Sequence, residues 1–351
     1  MNHLRFKGNH YEIGYRWGSL LAGHGNYILD QVPFPITEER IAFGRQCRPV
    51  YEKFFPEILE EIWGLSEGQK SSSEKLQAVL FSMYAMPPAG HCSCFSVSSK
   101  EQLFLGRNSD FLTEIEEFNK NVIYDFTSDS YGFNGNTTAF LEMEDGINER
   151  GLAVGMTSVF PKHIQPGMNS GMLLRFFLEK CSTVDEVIKW LYKIPIASAQ
   201  TFTVADLTGD ISVIECCADG IHIRKPEEER PYVCTVNRFY SPELEKWNTG
   251  EVDDWLSSQR YETMEKTLSR EAPQMDISIA KELLSGKKGF ICQYDRDTGK
   301  DTVWSVIYDL KHHKIYRAEG NPARCVYQED QRVVFQPNKQ KTAPLANCLL
   351  L

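Results

Sequence analysis

The sequence predicts an α+β fold, a four-layer αββα sandwich preceded by a helical N-terminal segment. Three observations carry that expectation. Helix-period patterning fills the chain up to Pro88, short alternating apolar runs begin at Cys92, and helical stretches return only in clusters between and after those runs. A series of antiparallel strands needs both sheet faces covered, and helices grouped apart from the strands supply the outer layers.

Taken in order, Ile13, Trp17 and Leu21 recur at four-residue spacing, and Thr37 opens a stretch carrying Ile41, Val50, Phe54 and Ile58. Pro56 breaks or restarts that helix. Ser71-Ser72-Ser73-Glu74 fits a capping box ahead of Leu76, Val79, Leu80 and Met83, and Pro87-Pro88-Ala89-Gly90 stops the run. From Cys92 a hairpin follows, with Phe95 and Val97 facing Leu103–Leu105 across a polar turn. Further strands are expected at Val122–Phe126, Thr138–Met143, Leu152–Val159, Thr201–Ala205, Ile211–Cys216 and Tyr232–Val236. Helices are expected at Gly171–Lys180, Val184–Tyr192, Asp253–Leu268 and Ile277–Leu284, and a last hairpin at Val303–Asp309 and Lys314–Glu319. The implied division is 1–91, a helical segment, and 92–351, the sandwich.

Composition excludes whole classes of partner. With 38 Lys+Arg against 48 Asp+Glu the net charge is -10, without long basic runs, so a phosphate backbone is repelled on average and nucleic acid is not expected. Mean hydropathy is -0.37. The apolar stretch around Leu80–Met86 falls short of the roughly 20 residues of a membrane span. Met1–Gly8 lacks the apolar core of a secretory signal, and the ten cysteines contain no CxxC pair. Buried thiols in a reducing cytoplasm, with no cofactor and no metal, are the expectation; a homo-oligomer is compatible with it. The ending Cys348-Leu349-Leu350-Leu351 has the form of a prenylation box, without a polybasic run before it.

One constellation carries chemistry. Cys92, in His91-Cys92-Ser93-Cys94-Phe95, sits where the Pro/Gly stop meets the first strand, and Arg107 and Asp110 lie at the end of the partner strand. A hairpin makes those strand ends neighbours. A guanidinium beside a thiol favours the thiolate, and a carboxylate can hold an amine. By residue type alone, a strand cysteine is a small hydrophobe, Arg107 and Asp110 form an ion pair, Asn237 shapes a turn and Arg260 is a solvated helix residue.

Beyond these residues the chain resembles the acyl-CoA:6-aminopenicillanic acid acyltransferase-like family of Ntn (N-terminal nucleophile) hydrolases, with choloylglycine hydrolases and penicillin V acylases as cousins. The resemblance rests on Gly8–Gly14, Cys92 with Arg107 and Asp110, Asn148–Leu152, Thr235-Val236-Asn237, Ser257-Ser258-Gln259-Arg260, Thr302–Ser305 and Gly320-Asn321-Pro322, in the family's order. It implies a precursor that cuts itself at His91–Cys92, keeps residues 1–91 as a propeptide or small chain, and works through an acyl-Cys92 thioester on a linear amide or acyl donor. It further implies that Arg107 polarises the site, that Asp110 holds the new amino group, and that Asn237 and the backbone N–H of Thr157 meet the oxyanion. Arg260 stands near the nucleophile. Cys92 fits the register better than Cys94. An uncut acyl-ligand binding protein and a papain-like cysteine hydrolase, using His222, His312 or His313, are the alternatives.

Overall fold

The computed structural model describes residues 1–86, 91–250 and 252–332. The Pro87–Gly90 stop and the Cys348–Leu351 tail therefore lie outside the described residues.

In chain order the strands are β1 (Asn2–Gly8), β2 (His91–Ser98), β3 (Leu103–Leu112), β4 (Lys120–Phe126), β5 (Phe133–Thr137), β6 (Asp145–Asn148), β7 (Ala153–Ser158), β8 (Gln200–Ala205), β9 (Ile211–Cys217), β10 (Gly220–Arg224), β11 (Tyr232–Thr235), β12 (Lys300–Asp309), β13 (Lys314–Ala318) and β14 (Gln328–Glu329). The helices are α1 (His10–Gly23), α2 (Ile28–Gln31), α3 (Glu38–Phe54), α4 (Pro56–Gln69), α5 (Ser73–Ser82), α6 (Ser170–Lys180), α7 (Val184–Leu191), α8 (Ser257–Glu271) and α9 (Ile277–Leu284). One sheet runs β1-β4-β5-β6-β7-β8-β9-β10 and the other β11-β2-β3-β12-β13-β14. Every pairing between the named strands is antiparallel except β1 with β4.

Period-2 alternation sorts the apolar side chains into three layers. Trp17, Ile62, Phe81, Phe133, Val154 and Leu174 pack α1 and α3–α6 against the first sheet. Cys94, Leu105, Ile147, Val213 and Val306 fill the space between the sheets. Phe95, Phe104, Met264, Leu268, Leu283 and Ile307 pack the second sheet on α8 and α9. Adjacent pairs such as Phe104/Leu105 and Val306/Ile307 divide between opposite layers, which gives the expected αββα sandwich. Among the described residues no helix is long and apolar enough to cross a membrane.

The leading segment is helical from His10 onward but opens on a strand, β1, whose Phe6 is buried while Arg5 and Lys7 are exposed. Asn9 and Glu12 close a capping box on α1, whereas α5 is capped by Ser72, one residue past the expected start, through Lys75 N–H. Pro56 is the first residue of α4, where its missing N–H costs nothing. Helices α1 and α4 touch backbone to backbone. A Cβ on Gly14 would lie 2.0 Å from Glu61 O, and one on Gly64 would lie 2.1 Å from Tyr11 O. Thr138–Met143 is a turn rather than the expected strand, with Phe140 at φ 58°, and the strands fall on either side of it as β5 and β6. The expected helix start at Asp253 moves to Ser257, because Trp255 and Leu256 have φ of 51° and 59° and cannot continue a right-handed helix.

Candidate active site

Cys92 is the second residue of β2, an interior strand flanked by β11 and β3. The β2–β3 register sets Cys92 opposite Ser109, Cys94 opposite Arg107 and His91 opposite Asp110, without a break. Opposed residues share a sheet face, so Cys92, Cys94, Arg107 and Ser109 point between the sheets, while Asp110 points to the α8 side. The sheet thus separates Arg107 from Asp110.

On the inter-sheet face Arg107, fully buried, donates from Nη2 to Cys92 Sγ at 2.8 Å. Its Nη1 reaches Asp145 Oδ2 at 2.6 Å, its Nε the Met156 carbonyl at 3.0 Å, and Nη2 also Glu144 Oε2 at 3.3 Å. Room for the guanidinium comes from Gly155: a Cβ there would lie 3.1 Å from Arg107 Cδ and 2.8 Å from Cys94 Sγ. Two carboxylates compensate one buried cation, and each has further donors. Asp145 accepts from Asn136, Trp304 and Tyr308; Glu144 accepts from Ser109, Tyr84 and Thr138. Neither acid was singled out from the sequence. The expected strand ended at Met143, one residue short of Glu144, and an acidic pair in a polar stretch reads as surface until a long-range arginine is placed against it.

On the other face Arg260, from α8, uses all of its nitrogens. Nη1 donates to the Cys92 carbonyl at 2.6 Å and to Ser93 Oγ at 3.0 Å. Nη2 donates to Asn237 Oδ1 and the Asp254 carbonyl, both at 2.9 Å, and Nε to the Trp255 carbonyl at 3.0 Å. The left-handed turn at Trp255 and Leu256 leaves the Asp254 and Trp255 carbonyls to this side chain, while the Leu256 carbonyl takes the Arg260 backbone N–H. Asp110 is 3.6 Å from Arg260 Nη1 and accepts from Thr302 Oγ1 at 2.6 Å and from Tyr294 Oη at 2.9 Å. Burial pushes the Asp110 carboxyl up to about 6, against the pull of Arg260 and the two hydroxyls.

Asn237 follows β11, in register across from Cys92, and its Oδ1 accepts the Cys92 N–H at 2.9 Å. Its Nδ2 donates to the Ser158 carbonyl at 2.7 Å. Thr157 lies on β7 opposite Thr201; its hydroxyl bonds Thr201 Oγ1 and the Val236 carbonyl, each at 2.7 Å. Val159 N–H bonds the Ala199 carbonyl, so two-residue alternation assigns the Thr157 N–H to the same ladder. Cys92, Arg107, Asn237 and Arg260 are thus joined by direct contacts; Asp110 joins them through Arg260, and Thr157 through the carbonyl of Val236.

Burial pushes the Cys92 thiol up to about 12, outweighing Arg107, so the thiol of the uncut chain is neutral at physiological pH. Cys94 has the same upward shift, also from burial, and contacts the strand β8 residue Thr203 rather than the Arg107 tip. Of the described residues, His10, Glu61 and Glu179 have ligand atoms within 4.8 Å of one another. Arg175 already bridges both carboxylates, at 2.6 and 2.5 Å, and fills the cation's place. This cluster is a charge clip rather than a metal site.

A family model described as acyl-coenzyme A:6-aminopenicillanic acid acyl-transferase matches residues 97–324. The chain belongs to that family. The matched span includes Arg107, Asp110, Thr157, Asn237 and Arg260 and opens just past Cys92. Among solved structures, penicillin V acylase from Agrobacterium tumefaciens is 16% identical, with a TM-score of 0.43 over 65% of this chain and 83% of that one. A mutant conjugated bile acid hydrolase from Clostridium perfringens is 13% identical, with a TM-score of 0.43 over 69% of this chain and 97% of that one. No curated protein matches the chain.

Proposed function

We propose that the chain is an amide hydrolase or acyltransferase that cuts itself between His91 and Cys92 and then works through an acyl-Cys92 thioester on a linear amide. Family membership supports the reaction class. The observation that carries the residue assignment is the fixing of Cys92 at three atoms: Sγ by Arg107, N by Asn237 and the carbonyl by Arg260.

In self-cleavage Sγ adds to the His91 carbonyl carbon, the C–N bond to Cys92 breaks as the nitrogen takes up a proton, and a His91–Sγ thioester remains. Water hydrolyses it, leaving a His91 carboxylate, a free thiol and a new α-amino group. An α-amino group titrates near 7.7–8.0, so cleavage sets a base poised near neutrality on the same residue as the thiol, whose proton it takes because burial otherwise keeps that thiol neutral. Arg107 stabilises the thiolate formed on proton transfer, and Asn237 Oδ1, already on the Cys92 nitrogen, aims that base. Sγ then attacks the substrate's carbonyl carbon, the α-ammonium returns its proton to the leaving amine, and water or an acceptor amine resolves the thioester. In the uncut chain the Asn237 Nδ2 donates to the Ser158 carbonyl, which holds the side-chain amide beside the Cys92 nitrogen, where it can meet a substrate oxyanion.

Intact mass under denaturing conditions tests the reading. A 40.2 kDa chain cut after residue 91 gives pieces of about 10 and 30 kDa; iodoacetamide should label Cys92, and Cys92→Ala should stay in one piece. A wild-type chain that keeps its full mass yet hydrolyses amides would refute the amino-base mechanism.

A further inference from the structure

A cavity of about 140 Å³ opens at His91, the residue before Cys92, and at Asn237, which accepts the Cys92 N–H; Ser158, Arg238, Asn248 and Asp254 also line it. Arg107 and Arg260, which touch Cys92, and Arg238, on the cavity wall, differ in what they have left to give. Arg260 spends every nitrogen on protein acceptors, and Arg107 is committed to Asp145, Glu144, Met156 and Cys92. Arg238 is half-buried, adjoins Asn237 in sequence, and makes no hydrogen bond or ion pair among the described residues. Each of the other buried or half-buried arginines named above neutralises a carboxylate or binds carbonyls, so a half-buried fork facing a cavity is an unfilled acceptor site.

The backbone explains its aim. The chain bends at Asn237–Arg238, past the end of β11, and strand alternation no longer sends successive side chains to opposite faces. Asn248 clamps the bend by accepting the Phe239 N–H at 2.9 Å and donating to the Phe239 carbonyl at 2.8 Å. Among the described residues the one acidic group on the cavity wall, Asp254, is turned to Ser257, whose N–H and hydroxyl both bond its carboxylate.

We infer that Arg238 is a specificity-determining residue that anchors an oxyanionic group, a carboxylate above all, carried by the substrate close to the scissile amide. The inference rests on the proposed amidase or acyltransferase reading and adds the charge class of the substrate. The cavity is smaller than the roughly 300–1,000 Å³ of a whole ligand site, which suits a head group rather than the entire molecule.

Two pairs of probes place the charge on either side of the amide: N-octanoylglycine against N-octanoylglycinamide, and glutaryl- against butyryl-p-nitroanilide. In wild-type protein the acidic member of one pair should have at least about tenfold higher kcat/KM, chiefly through KM, since a charge-assisted pair is worth that much. Arg238→Ala should bring the ratio toward one, Arg238→Lys should keep part of it, and Arg238→Glu should invert it. Which pair responds shows whether the acid lies on the amine or the acyl side. A wild-type ratio near one in both pairs, or an unchanged ratio in Arg238→Ala, overturns the proposal. Calorimetric binding of the same probes keeps the two readings apart. Tighter binding of the acidic probe that is lost in Arg238→Ala, without turnover, upholds the anchor and defeats the amidase reading; equal binding of both members by both proteins defeats the anchor.

Discussion

Replacing Asp145 by Asn keeps its shape and removes its charge, and the structure fixes what that should cost. Arg107 is fully buried and pairs with Asp145 at 2.6 Å and with Glu144 at 3.3 Å. Stripping one partner from a buried ion pair costs about 3–5 kcal/mol, because the remaining charge is left uncompensated. Glu144 still faces the guanidinium, so Asp145→Asn belongs at the lower end, about 3 kcal/mol. Asp145→Ala should cost more, since Asn136, Trp304 and Tyr308 lose their common acceptor at about 1–3 kcal/mol for each buried donor left unmet. Urea unfolding of each variant in a Cys92→Ala background avoids any change of chain number. If Asp145→Asn shifts stability by under about 1 kcal/mol, Asp145 is not the counter-charge that lets Arg107 sit under the thiol.

Peptide mapping after iodoacetamide should show that Cys92→Ala abolishes acyl-thioester formation whereas Cys94→Ala retains substantial turnover; the reverse outcome moves the nucleophile to Cys94. Asp110 titrates near 6 in the fold against 3.8 for a free carboxyl, so the folded state binds the extra proton and stability falls as pH rises from about 4 to about 6. In a Cys92→Ala background, Asp110→Asn should flatten that fall, by about 2–3 kcal/mol at neutral pH, as read by unfolding at several pH values. Arg107→Ala should lower the rate at least about 100-fold with the fold intact, because the thiolate loses its nearest cation; a loss under threefold assigns Arg107 to structure alone. After cleavage the two pieces should co-elute, since His10 and Glu61 reach Glu179 and Arg175 of α6 at 2.8 and 2.6 Å in a buried clip; free elution of the small piece would contradict it.

How far the sequence foretells this arrangement follows from the range of the interactions. Cys92 and Arg107 are set by a hairpin, a local structure, so fifteen residues of spacing suffice to bring them together. Helix α9 also falls at the expected Ile277–Leu284, with Asp276 as its cap. Strands β1 and β10 carry the alternation of Leu4/Phe6 and Ile221/Ile223, yet each is an edge strand whose pattern rests on those few apolar residues among charged or polar neighbours. Glu144, Asp145 and Tyr294 were out of reach for another reason. Their roles exist only once β6 and the segment before β12 are folded against β3, a pairing that no local pattern encodes.

Strand β1 hydrogen-bonds along its whole length to β4, and α1 locks into α4 where no side chain intervenes. If the chain is cut at His91–Cys92 as proposed, these contacts stay in place but the molecularity of folding changes. Before the cut, refolding is first-order in one chain; afterwards it is an encounter between two, slower with every dilution, and the thermal midpoint becomes dependent on protein concentration. The intact precursor is the species that can find the native state unaided, so the processed protein, once unfolded, has little route back. Its lifetime is then governed by the rate at which residues 1–91 part from β4 and α6 and not by the equilibrium that assembled it.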